Sequence, residues 1–173
     1  MEDIQETSKL IILYFFDQME VPLKETIVND IFSEHSNWIP YTEYRSCFAE
    51  LLKQNLLYNA ASKTADPRYS ITAAGREGLS YFYTKIPMSV RDEISSVIKK
   101  NRLSYKKKQE YLADYYKNAD GTYTVALKID SAACTLMDLK IVVQEKRKAK
   151  WIYNNWPDKA PIIYEHILEN LID

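Results

Sequence analysis

The order of local patterns in the first half of the chain leaves few folds open: three helical segments, a short hairpin and a fourth helix. Residues 8–19, SKLIILYFFDQM, are too apolar to keep one polar side and read as a helix buried on most sides. Glu20-Val21-Pro22 ends it, because proline disfavours helix at the residue before it. A second helix runs from Leu23 or Lys24 to Glu34, with Ile27, Val28, Ile31 and Phe32 on one stripe. After a short connection through Pro40, Thr42 is the expected N-cap of a third helix ending near Asn55. Its apolar stripe is Tyr44, Cys47, Phe48, Leu51 and Leu52, which turns Glu43, Arg45, Ser46, Ala49 and Glu50 outward. Residues 56–61 and 68–71 read as two strands joined by the turn residues 62–67. Thr72 then caps a helix that continues through Leu79, Tyr81, Phe82 and Tyr83.

Pro87 marks a boundary, and the chain beyond it has a different character. A helix over 89–101 carries Val90, Ile94, Val97 and Ile98 on one side and leads into the basic residues Lys99 to Lys108. Residues 110–116, 122–129 and 135–143 are rich in Tyr, Val, Ile and Thr and read as three strands. Asn118-Ala119-Asp120-Gly121 supplies turn chemistry between the first two. Two helices, 146–155 and 158–171, close the pattern, with Pro157 and Pro161 framing their join. The expected fold class is α+β: a winged helix-turn-helix domain over 1–86, then a small three-stranded antiparallel sheet with helices over 87–173.

Composition narrows the function classes. No apolar run approaches the roughly 20 residues that cross a bilayer, the stretch MEDIQETSK lacks a basic secretory start, and Cys47 and Cys134 lie far apart without metal-like spacing. A cytoplasmic protein is expected, with no membrane association. The net charge is −1, but it is split: residues 1–87 hold 8 Lys and Arg against 12 Asp and Glu, and residues 88–173 hold 15 against 12. The acidic first half weighs against nucleic-acid binding, since phosphate contacts supply most non-specific affinity. What decides is the charge on the docking face rather than the total.

In a winged helix the third helix enters the major groove and the hairpin touches the flanking backbone. The groove-facing candidates are Thr42, Glu43, Arg45 and Ser46, with Ala49 one turn on; each also reads as an ordinary solvated residue. Arg45 has the donors to address a guanine edge, while Lys63 and Arg68 flank the wing tip and suit phosphates. The basic run Lys99 to Lys108 reads either as a solvated helix end, where cations are favoured, or as a phosphate clamp. Trp151, Tyr153 and Trp156 read as packing of a helix on the sheet, or as an aromatic-lined effector pocket. His35 and His166 have no second ligand at i+3 or i+4, and no nucleophile elbow or Gly-rich phosphate loop is present. No catalytic role, metal or cofactor is expected.

The stretches KLIILYFFDQMEVPL, RYSITAAGREGLSYF and ADYYKNADGTYTV, in this order, resemble a bacterial family of uncharacterised proteins, family 4364 of the domains of unknown function. The motif Tyr69, Ile71, Thr72, Gly75 after a hairpin also occurs in other winged-helix regulators. The resemblance implies an N-terminal winged helix, a smaller α/β domain and a role in transcription; it carries no catalytic residue and no ligand. The resulting expectation is a regulator that binds double-stranded DNA as a homodimer, its C-terminal domain serving dimerisation or an effector of unstated class. The rival from another class is a winged-helix module that binds protein and not DNA, which the acidic first half favours.

Overall fold

Helices form where apolar residues recur at helical spacing, and strands where β-branched and aromatic residues alternate. The computed structural model describes residues 2–63 and 65–172, with Glu2 and Asp3 as backbone only. Its packing divides the chain into two units, Met1–Tyr105 and Lys106–Asp173. The class is α+β, with two separate three-stranded antiparallel sheets.

The first unit is built around α1 (Glu2–Met19), whose Leu10, Ile12, Phe15, Phe16 and Met19 are all buried, as an unbroken apolar helix requires. A two-residue strand β1 (Leu23–Lys24) follows, then α2 (Glu25–Glu34) and α3 (Tyr41–Lys53). Strands β2 (Leu57–Asn59) and β3 (Arg68–Ile71) form the hairpin, and α4 (Ala73–Phe82) and α5 (Met88–Glu110) come after it. The sheet order is β1-β3-β2, with Leu23 opposite Tyr69 and Lys24 opposite Arg68. Aromatic rings tie the helices together: Phe32 stacks on Tyr44 at 4.3 Å, and Trp38 meets Phe32 edge-on.

Three expectations change here. The second helix starts at Glu25, because Leu23 and Lys24 are taken by the sheet. Thr42 lies inside α3 rather than at its cap; the first helical bond runs from the Tyr44 amide to the Pro40 carbonyl. The first unit also extends past residue 86. Ile94, Ile98 and Tyr105 of α5 join the first core, and Arg102 donates to the Gln18 carbonyl at the end of α1.

The second unit holds β4 (Tyr111–Lys117), β5 (Tyr123–Asp130), β6 (Thr135–Val143) and α6 (Lys146–Ile172). The sheet order is β4-β5-β6. Val125, Leu127 and Ile129 of β5 pack against Ala149, Trp156 and Ala160 of α6. The two expected closing helices are one, with Pro157 and Pro161 inside it. Trp156 and Ala160 lie buried either side of Pro157, so packing on the sheet holds the helix on both sides of the proline. No described helix is long and apolar enough to cross a membrane.

Candidate nucleic-acid interface

The exposed side of α3 is set by what its other sides bind. Tyr44, Cys47, Phe48 and Leu51 are buried in the first core. Burial holds the Tyr44 phenol well above its ordinary range, and its hydroxyl donates to Asn29 Oδ1 at 2.8 Å. Burial also pushes the Cys47 thiol up. A second side of α3 faces α1: Ser8 donates to Glu43 and Lys9 pairs with Glu50. What remains exposed on α3 is Tyr41, Thr42, Arg45, Ser46, Ala49 and Lys53, which fall along one side.

Glu43 therefore leaves the outward set. It is half-buried and bound to Ser8, a partner 35 positions away that helical spacing has no means of revealing. Lys53, exposed in the last turn, joins the set; extending the same spacing one turn beyond Ala49 finds it. Arg45 is exposed but not free. Its guanidinium bonds Glu25 Oε1 and Asn29 Oδ1, each at 2.9 Å, and the hydrogen bond to Glu25 raises its pKa.

The turn from α3 into the hairpin is built tightly. Asn55 takes a left-handed φ of 56°, the Leu56 amide reaches back to the Leu51 carbonyl, and the Asn55 amide to that of Leu52. The Thr72 hydroxyl donates to the Asn55 carbonyl at 2.8 Å and accepts from the Gly75 amide at 3.0 Å, capping α4 as expected. Gly75 lies against this turn: a Cβ there would meet the Leu56 carbonyl oxygen at 2.4 Å. The Thr-x-x-Gly motif thus sets how the hairpin leaves the end of α3.

The two hairpin cations part company. Lys63 is exposed near the tip, beside Thr64, which lies outside the described residues. Arg68 is only 4% exposed, opposite Lys24, and its Nε and Nη2 have no hydrogen-bond partner among the described residues. This burial weighs against the phosphate contact expected of it. Of the basic run on α5, Arg102 is committed to the end of α1 and pairs with Glu20 at 3.5 Å, while Lys107 pairs with Asp158 at 3.0 Å. In the second unit Trp156 is buried and donates to the Lys128 carbonyl, whereas Trp151 is 64% exposed. Trp151 lines an apolar groove of about 440 Å³ with Leu139, Ile141, Ile152 and Ile163. Among the described residues no group of three His, Cys, Asp or Glu is placed to hold a metal ion.

A family model described as a domain of unknown function (DUF4364) matches residues 8–171. No curated protein and no solved structure matches the chain.

Proposed function

The chain belongs to the DUF4364 family, a domain of unknown function, and on that premise we propose that its first unit is a winged helix that binds duplex DNA. The single observation that carries this reading is the exposed side of α3, with Thr42, Arg45, Ser46, Ala49 and Lys53, followed directly by the β2-β3 hairpin, to which β1 adds a third strand. Small side chains at Ser46 and Ala49 let the helix sit deep in a major groove, with Arg45 turned from Glu25 to a guanine edge. Lys53 and Lys63 neutralise phosphates on either side of it. The protein is then a transcriptional regulator with no catalytic step of its own. It works in the cytoplasm, where the free cysteines, buried Cys47 and exposed Cys134, stay reduced.

A second reading has its own support. Arg45 is already satisfied by Glu25 and Asn29, and residues 1–87 carry a surplus of acid, so the same side of α3 suits a protein partner. Fluorescence anisotropy of the full chain against random duplex DNA at two salt concentrations separates the two. Binding that weakens steeply with salt supports the DNA reading; no binding at low salt leaves the protein-interaction module. Within the first outcome, Arg45→Ala costs affinity at one base position, and Lys63→Ala weakens every sequence and lowers the salt slope by about one.

A further inference from the structure

The second unit leaves one side of its sheet unfinished. Helix α6 lies over β4 and β5 more than over β6, so the inner side of β6 borders the open apolar groove at Leu139, Ile141 and Val143. Strand β6 is also an edge of the sheet, regular from Met137 to Val143 with a bulge at Leu136, and Val142 on its outer face is 59% exposed. An unpaired edge strand of this kind is a template for another strand.

The sequence of the edge says which strand. Read outward from Leu139, the regular part of the strand is complementary under reversal: Asp138 faces Lys140 and Met137 faces Ile141. Asp138 lies opposite Lys128 of β5, yet among the described residues neither Asp138 nor Lys140 makes an ion pair within the chain. The opposite edge lacks this symmetry. Asp114 is the middle residue of β4 and would face its own copy, and its carboxylate already accepts from the Tyr115 amide.

We propose that β6 pairs antiparallel with β6 of a second copy about a two-fold axis at Leu139, joining two sheets into one of six strands. The axis stands perpendicular to the sheet, so both α6 helices lie on the same face. Trp151 and Ile163 of each copy line a shared cleft over the paired edges, and the groove closes on its own copy. Two Asp138–Lys140 pairs, one on each side of the axis, fix the register; a slip by one residue would lose both and set apolar side chains against charge. This inference concerns a surface separate from α3 and stands whether the first unit binds DNA or protein.

The test is the molar mass of the full chain by light scattering and sedimentation, with circular dichroism as the check on folding. The expected result is a dimer for the natural chain, at least tenfold weaker association for Asp138→Lys and for Lys140→Asp alone, and recovery in the double charge swap. A monomer at the highest soluble concentration overturns the proposal. So does a dimer indifferent to both reversals, which would assign the interface to another apolar surface such as the exposed Ile162 and Leu171 of α6. If a reversal unfolds the chain, Leu139→Cys in a Cys134→Ser background answers instead. With oxidised glutathione, the two facing thiols lose two electrons and two protons to form a disulfide-linked dimer, and its absence overturns the pairing.

Discussion

Gly75 shows how one absent atom holds the candidate interface. A Cβ at this position would lie 2.4 Å from the Leu56 carbonyl oxygen and 2.8 Å from Ile71 Cγ1, and the first of these is backbone that cannot rotate away. Gly75→Ala is therefore expected to lower stability by about 1–3 kcal/mol, as overpacking does, and to disturb the exit from α3 at Asn55. Urea denaturation measures the first effect, and a wild-type midpoint for the variant would show that the turn yields freely. Arg68 makes the contrasting case. A guanidinium that is 4% exposed, faces Lys24 and leaves two nitrogens unpaired among the described residues carries a desolvation cost with little return. Arg68→Met keeps the length and removes the charge. It is expected to hold or raise the denaturation midpoint and, on the proposed DNA-binding reading, to leave affinity where it was, while Lys63→Ala lowers it. A loss of DNA binding in Arg68→Met equal to that in Lys63→Ala would return Arg68 to the wing contacts.

At the scale of elements, α6 is the one whose sequence signals conflict. Pro157 and Pro161 each lack the amide that would bond four residues back, at Tyr153 and Pro157, so both mark a break when read locally. The apolar residues either side of them belong to one stripe, and packing of Ala149, Trp156 and Ala160 on β5 decides for continuity. Pro161 is exposed and contributes little to that packing, so Pro161→Ala is expected to stabilise the second unit by about 1–3 kcal/mol from restored helix propensity and hydrogen bonding. Thermal unfolding checks it, and a lower midpoint would mean that the proline fits a bend the sheet requires. Elements whose signals agree were legible: β6 spans 135–143 as its Thr, Ile and Val suggest, and Thr72 caps α4. Strand β1 was not legible, since two residues carry no period. Nor were the partners of Glu43 and Arg45 or the burial of Arg68, because each depends on a residue brought close only by the fold. The exposed side of α3 was otherwise readable from spacing alone.

At the scale of the whole molecule, the chain keeps two cores that respond differently to alkali. Tyr44, Tyr69 and Tyr105 all lie in Met1–Tyr105, and burial raises each phenol above its ordinary value. Glu25 adds to the effect at Tyr69 and Glu34 at Tyr105. A phenol that is harder to ionise when folded holds its proton more tightly in the native state. Its contribution is therefore complete below the unfolded value of about 10 and is lost as pH rises above it. The buried residues of the second core, Val125, Leu127, Ile129, Ala149, Trp156 and Ala160, have no ionisable side chain, and the tyrosines packed against them, Tyr111, Tyr115, Tyr123 and Tyr164, are only partly buried. The first unit should therefore unfold in alkali while the second persists. Trp38 belongs to the first core, and Trp151 and Trp156 to the second unit, so tryptophan fluorescence separates them. An alkaline transition starting above pH about 10 is expected in the natural chain and should be missing from Trp38→Phe, where only the second unit reports. The same transition in both chains would mean that the two cores unfold as one cooperative system, despite their separate packing.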